Sequence, residues 1–342
     1  MINKRINFLL KNYLTNIILI WAAILFYKYN NFYSNFLTQE TQTIIFYLAL
    51  TYTIIGLFIY IIIPIETRET KGKLIFRSFK KISLSFYHIF KRFTSNIKTP
   101  LPKLDHKEKT AFLFIIVKIF FLPLMINFMI NNYHAVNFQI SDVLKAPLSI
   151  LSFNNIIYPF LIAVLFFIDT LYFSFGYSVE LKSLNNTVRS VEPTIFGWLV
   201  ALICYPPFNG MVSDYVSWYA NDMATFSTSI ITFIMRILII VLLIIYVGAS
   251  VSLGAKCSNL TNRGIVTRGT YSIVRHPAYI AKVSAWWLMI IPVFSLVAFG
   301  SMLLWTGIYF MRAITEERHL SKDPDYIKYR NKVRWRFIPY IY

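Results

Sequence analysis

The sequence predicts an all-α, polytopic membrane protein, and three observations carry that reading. Of its 342 residues, 57% are hydrophobic and 18% aromatic while only 14% are charged, against about a quarter charged in a soluble chain. Several apolar runs reach the roughly 20 residues that cross a bilayer core as helix. Lysine and arginine gather between those runs. The net charge of +19 therefore fits cytoplasmic loops and anionic headgroups, and nucleic acid is not an expected partner.

About eight spans follow in order. The first covers 17–36, with Trp21, Tyr27, Tyr29 and Tyr33 suited to the interface. The residues before it are basic and polar, and no small-residue cleavage site follows, so the first helix reads as retained. The second span, 43–65, closes at Pro64. Segment 66–109 holds twelve Lys/Arg. Its middle places Phe79, Ile82, Phe86, Ile89, Phe90 and Phe93 near one helical face, the pattern of an amphipathic helix on the membrane surface or packed on the protein. The third span is 111–130, with Lys118 and Pro123 inside it. The fourth is 156–177 with Asp169, the fifth a short 194–206 ending at Pro206-Pro207, and the sixth 229–251 with Arg236. Asp169 and Arg236 are expected to pair, or to meet a substrate headgroup. Run 283–311 is too long for one span and suits a hairpin turning near Pro292.

The charges orient these spans. Lys/Arg number three before the first span, twelve in 66–109, five from Lys256 to Lys282 and eight after Met311, whereas the opposite loops hold only Lys145. That asymmetry places both ends, and the polar stretch 263–279, in the cytosol. Cys204 and Cys257 lie in different settings, and neither a disulfide nor a metal site is expected from them. A functional boundary falls near residue 190: 1–190 forms an N-terminal transmembrane region, and 191–342 carries the chemistry.

Stretch 263–279, RGIVTRGTYSIVRHPAY, is polar among apolar runs, which is costly near lipid and calls for a function. If the hairpin arms are equal, Arg275-His276 return beside Glu316-Glu317. Arg263, Arg268, Tyr271 and Tyr279 then join one cytosol-facing pocket of cationic donors, an imidazole, aromatic faces and carboxylates. Gly264 and Gly269 allow close backbone approach, and Pro277 suits the first turn of a helix. The same residues are also compatible with plain Arg–Glu pairing at an interface, with His276 at a helix end. In the tail, Asp323-Pro324 reads as a helix cap and first turn.

Arg275, His276, Pro277, Tyr279, Glu316, Glu317 and the tail sequence Phe337-Ile338-Pro339, in that order and separation, resemble the C-terminal core of the isoprenylcysteine carboxyl methyltransferase family. The resemblance covers about the last ninety residues. It implies an integral-membrane methyltransferase that uses S-adenosylmethionine and acts on a lipophilic small molecule or lipid at the cytosolic face. It implies His276 and Tyr279 as cofactor contacts and Glu316 and Glu317 as the acidic pair of the active site. With the pocket residues above, Arg275 and Glu317 are the expected catalytic residues and Tyr271, His276, Tyr279 and Glu316 the expected cofactor-binding residues, without a metal. Arg275, Arg312 and Arg318 are candidates to hold a carboxylate. Two departures from the family pattern are Ala281, where glycine is common, and Gly269-Thr270-Tyr271 in place of Gly-Pro-Tyr.

Two other readings are compatible with the sequence. Membrane sterol reductases, which use NADPH, resemble the same region and share the tail 339–342, but the Glu316-Glu317 pair fits the methyltransferases better. A non-catalytic lipid-binding or transport protein would instead line a path with Arg236, Asp169 and Lys118. Usage rich in Ile, Asn and Lys suggests an AT-rich bacterial genome and an inner-membrane setting.

Overall fold

The computed structural model describes residues 2–62, 70–95 and 100–341. The chain divides into two compact units, Met1–Pro123 and Leu124–Tyr342.

In the first unit, helix α1 (Ile2–Tyr29) stops where Asn30 caps the short α2 (Asn31–Phe36), its side chain accepting from the amides of Phe32 and Tyr33. The expected span 17–36 is thus two helices, broken by a residue whose side chain competes with the helix backbone. Helix α3 (Gln39–Ile62) follows; residues 63–65 of the expected second span lie outside the described residues. The expected amphipathic segment is helical as α4 (Lys71–Ser95). Leu74 and Ile75 pack with Ala111, Leu19 and Ile115, whereas Phe79, Phe86 and Phe90 are exposed. The Phe93 side chain lies outside the described residues. Helix α5 (His106–Lys145) starts with a reciprocal cap. Asp105 accepts from the Glu108 amide at 2.8 Å, and Glu108 accepts from the Asp105 amide at 2.9 Å. Glu108 also binds Lys81 at 2.7 Å. The Asp105 carboxyl is held below its usual range, chiefly by the Glu108 amide. This helix has 40 residues, longer than the expected 111–130, because it continues through polar residues that end the apolar run without ending the helix.

In the second unit, α6 (Ile150–Ser152) runs through a π-helical turn (Phe153–Ile157) into α7 (Tyr158–Ser178). Strand β1 (Ser190–Val191) precedes α8 (Ile195–Leu202), α9 (Phe208–Ser213) and α10 (Ser229–Leu253). It pairs antiparallel with β2 (Thr261–Asn262), Ser190 opposite Asn262. Helix α11 (Pro277–Met289) turns through Ile291–Val293 into α12 (Leu296–Leu320), and α13 (Pro324–Lys332) follows. The hairpin therefore turns at Pro292 as expected. Tyr158, Ile239, Leu243, Ala285, Met289 and Met302 form the core between α7, α10, α11 and α12.

Among the described residues, six helical stretches are long and apolar enough to cross a membrane: 9–29, 39–58, 106–145, 150–178, 229–256 and 296–320. The other two expected spans correspond to α8 with 8 residues and α11 with 13, below the length that crosses a bilayer core.

Arg236 and Asp169 do not pair. Arg236 donates to the carbonyls of Ala224 (3.2 Å), Met223 (3.0 Å) and Asn154, and lies 4.5 Å from the centre of the Tyr158 ring. Asp169 accepts from Tyr246, at 2.7 Å, and from Ser250. Both of those partners lie ten or more residues beyond Arg236 on α10, roughly 15 Å along the axis. The two charges occupy different levels of the bundle, each satisfied by neutral groups.

Candidate functional site

The polar stretch leaves α10 at Gly254 and turns twice through left-handed glycines, Gly264 (φ 90°) and Gly269 (φ 62°). At Gly269 a Cβ would collide with Ser252 Oγ, so this turn admits only glycine without rearrangement. Pro277 opens α11 in its first turn, as proline does where no amide is needed. The hairpin then carries α12 back, so that Arg275-His276 and Glu316-Glu317 meet.

Glu317 is buried, and both of its oxygens are occupied. Oε1 accepts from Arg275 Nε at 2.8 Å and lies 3.1 Å from His276 Nε2, while Oε2 accepts from Arg336 Nη2 at 2.9 Å. Arg275 also donates to the carbonyls of Val333 and Arg334. The backbone amides of Arg275 and His276 donate to the carbonyls of Trp335 and Arg336, each at 2.9 Å. Together these bonds clamp the tail across the start of α11. Tyr326, Tyr329 and Val333 seal it against Ile265, Tyr271 and Leu320, and the Tyr329 hydroxyl donates to the Tyr271 carbonyl at 2.8 Å. Burial pushes the Tyr271 and Tyr329 hydroxyls up, so both are neutral donors at physiological pH. Asp323 caps α13, and its other oxygen accepts from Asn262 (2.8 Å) and Arg189 (2.9 Å). Burial raises the Asp323 pKa, but the bonds from Asn262, the Asp325 amide and Arg189 outweigh it and hold the carboxyl below its usual range.

Glu316 points the other way. Its side chain is 45% exposed and lines three adjoining clefts that share residues. It accepts from the Tyr279 hydroxyl at 2.8 Å. The Tyr279 ring lies 5.4 Å from that of His276 and within 8° of parallel. Of the residues expected at the site, Tyr271, Arg275, His276, Tyr279 and Glu316 line at least one of these cavities, and Glu317 lines none of the three.

The three arginines considered for holding a carboxylate differ. Arg275 is committed to Glu317, and Arg318 to Glu192 (3.0 Å) and Thr194 (2.6 Å). Arg312 is 8% exposed, donates one bond to Asn259, and lies within 6 Å of the centres of the Tyr205, Tyr279 and Tyr309 rings. Among the described residues no carboxylate is within 4 Å of it. It lines two of the cavities. A buried guanidinium with spare donors in a cavity wall suits an anionic ligand.

Residues 224–323, which include α10, the polar stretch, α11 and α12, match the family model described as phospholipid methyltransferase. The match supports a membrane methyltransferase that acts on a lipid-like substrate. It spans less than a third of the chain and does not distinguish the isoprenylcysteine branch. No curated protein and no solved structure matches the chain.

Sequence reasoning missed Glu192, Ser258, Asn259 and Lys282, all of which line the cavities. Asn259 is fixed by Tyr177 (2.9 Å) and Tyr205 (3.1 Å) and bonds Arg312; only the polar run Ser258-Asn259 just before the singled-out stretch hinted at it. Lys282 was counted as a loop charge, yet it sits on α11. Cys257 is buried, and burial pushes its thiol up, which leaves it unsuited to nucleophilic work. No group of three or more metal-ligating side chains occurs among the described residues.

Proposed function

We propose that this protein is an integral-membrane, S-adenosylmethionine-dependent methyltransferase whose acceptor is lipophilic and whose site, built mainly from residues 191–342 with Phe173 of α7 at its edge, opens to the cytosol. The observation that carries this reading is the opposite placement of the two adjacent glutamates. Glu316 faces shared cavities with Tyr279 on its carboxylate, while Glu317 fixes Arg275 and His276 behind the wall. The cavity wall fits the amino-acid end of the cofactor. It offers a partly exposed carboxylate for an ammonium and, at Arg312, a guanidinium with spare donors for a carboxylate. Tyr271, His276 and Tyr279 supply ring faces and donors around it.

Bound there, S-adenosylmethionine supplies a sulfonium-activated methyl group. Transfer removes positive charge at sulfur, so for an acceptor that is already a carboxylate the protein's task is alignment and exclusion of water rather than strong acid or base assistance. In this reading Arg275 and Glu317 serve catalysis by fixing the wall, because their polar atoms are spent on each other and on the tail. The Lys/Arg asymmetry supports cytosolic ends, and the residue usage supports a bacterial inner membrane.

Calorimetry on detergent-purified protein, with S-adenosylhomocysteine and NADPH titrated in parallel, tests the proposal. Stoichiometric binding of S-adenosylhomocysteine alone, weakened in Glu316→Gln, is expected. Binding of NADPH alone would move the assignment to a reductase, and binding of neither would favour a non-catalytic protein.

A further inference from the structure

Helix α4 (Lys71–Ser95) takes no part in the candidate site and lies outside the region that matches the family. With a turn of about 100° per residue, its side chains fall into three stripes. Leu74, Ile75, Ser78, Ile82 and Ser85 share an arc of about 100°, and all are buried or half-buried. Leu74 and Ile75 pack with Leu19 of α1 and with Ala111 and Ile115 of α5, and Ser78 donates to the Glu108 carbonyl at 3.2 Å. Phe76, Phe79, Phe86, Tyr87 and Phe90 share a second arc of the same width and are all exposed. The third stripe, about 120° wide, holds Lys73, Arg77, Lys80, Lys81, Lys91 and Arg92, and α4 contains no Asp or Glu. Lys81 and Arg77 reach Glu108 at 2.7 and 3.9 Å. Lys80 and Lys91 lie further round, on the side of the aromatic stripe.

The contacts of the first stripe set the level of the helix. It crosses α5 where that helix changes character, between the polar cap at Glu108 and the apolar Ala111 and Ile115. That is the depth of a water–hydrocarbon boundary. With the aromatic stripe turned into hydrocarbon, the other two rise on opposite flanks, one against α1 and α5 and the other toward headgroups. Five exposed rings along about 20 Å of helix form the kind of apolar patch that marks a partner or a membrane. The cations beside them, with no acid in the same helix, suit a phosphate-rich surface.

We infer that α4 docks in the plane of the membrane on an anionic leaflet, its aromatic stripe in the acyl chains and Lys80 and Lys91 on the headgroups of acidic phospholipids. This docking is independent of the methyl-transfer assignment.

Full-length protein with Cys204→Ser and Phe86→Cys is labelled at position 86 with a nitrobenzoxadiazole fluorophore; Cys257 is buried. It is reconstituted into vesicles of seven parts phosphatidylcholine to three parts phosphatidylglycerol. One lipid in ten carries a nitroxide on its acyl chain, placed in turn on either lipid class, and aqueous iodide is the competing quencher. Phe86 and Phe90 are each 68% exposed, so Phe90→Cys replaces the first variant if that one fails to fold. The chain nitroxide is expected to quench the label and iodide to leave it bright. The nitroxide on phosphatidylglycerol is expected to quench at least twice as strongly as that on phosphatidylcholine, in line with the attraction of surface lysines to acidic lipid. Lys80→Gln with Lys91→Gln should cut that preference by half or more, and Lys80→Arg with Lys91→Arg should keep it. Molar salt, which shortens screening to about 3 Å, should remove it. Quenching by iodide and not by the chains overturns the inference and leaves the stripe to a protein partner. Protection from both quenchers, equal quenching by the two lipid classes, or an undiminished preference in the glutamine variant overturns it as well.

Discussion

Replacing Glu317 with glutamine preserves the shape of the side chain and removes the charge on which Arg275, His276 and Arg336 converge. Glutamine offers one acceptor oxygen and an amide NH2. If the oxygen stays with Arg275 and His276, the NH2 faces Arg336; if it turns, it faces the other two. At least one charge-assisted bond is lost in either case, about 1.5–3 kcal/mol, and the turned amide also faces His276. An uncompensated buried guanidinium brings the cost to about 3–5 kcal/mol. Arg336, whose side chain is 21% exposed, can swing toward water, which favours the lower end. At 1.4 kcal/mol per factor of ten, about 3 kcal/mol corresponds to roughly a hundredfold in the opening equilibrium of the clamp. The amides of Arg275 and His276 donate to Trp335 and Arg336, so their hydrogen exchange reads that opening directly. Exchange roughly a hundredfold faster at 275 and 276, together with weakened S-adenosylhomocysteine binding, is expected. Unchanged protection with lost ligand binding would refute the reasoning, since Glu317 would then touch the ligand rather than hold the wall.

Three further outcomes follow from contacts already described. Tyr279→Phe removes the hydroxyl bond to Glu316 and should weaken S-adenosylhomocysteine binding about two- to tenfold in calorimetry, the range of a single hydrogen bond of about 0.5–1.5 kcal/mol, with the melting temperature little changed. Arg236→Met leaves the carbonyls of Ala224, Asn154 and Met223 without their donor; a loss of about 2–4 kcal/mol, read as a lowered thermal midpoint with ligand affinity retained, is expected. The Asp323 pKa is lower in the folded chain than in the unfolded one, so its stabilisation is complete above the unfolded carboxylate value of about 4 and is lost as pH falls through the folded value. Asp323→Asn should therefore lower the midpoint at pH 7 and flatten its decline below about pH 4, as followed by thermal scans across pH.

The hairpin was legible because proline at 292 and the flanking apolar runs are local signals. Equal arms are the reason to expect Arg275-His276 beside Glu316-Glu317; the pairs do meet, but the arms have 13 and 25 residues, and the meeting is held by the Glu317 contacts to Arg275 and His276 rather than by matched length. What local pattern could not convey was level and direction. Asp169 and Arg236 look like partners in a list of intramembrane charges, but α7 and α10 bring Asp169 beside Tyr246 and Ser250 instead. Lys282 reads as a loop charge until α11 is seen to begin at Pro277 and to carry it into a cavity wall. Spans 194–206 and 283–292 were apolar enough, yet helix length depends on caps and turns that hydropathy does not record. The polar continuation of α5 beyond residue 130 erred in the opposite sense, being helical without being apolar.

Neighbouring residues on an α-helix project about 100° apart, and α12 uses that angle to separate two tasks. Glu316, with Arg312 one turn before it, looks into the cavities, while Glu317 looks into the clamp. Inserting or deleting one residue between Ser295 and Glu316 would turn the pair by about 100° and slide it by 1.5 Å, presenting the wrong carboxylate to each side. The stretch from the hairpin turn to the glutamates is thus a ruler that tolerates exchange of side chains but not a change in count. Any chain built on the same arrangement must align there without gaps, and grafts that move this site to another scaffold must carry the whole helix in phase.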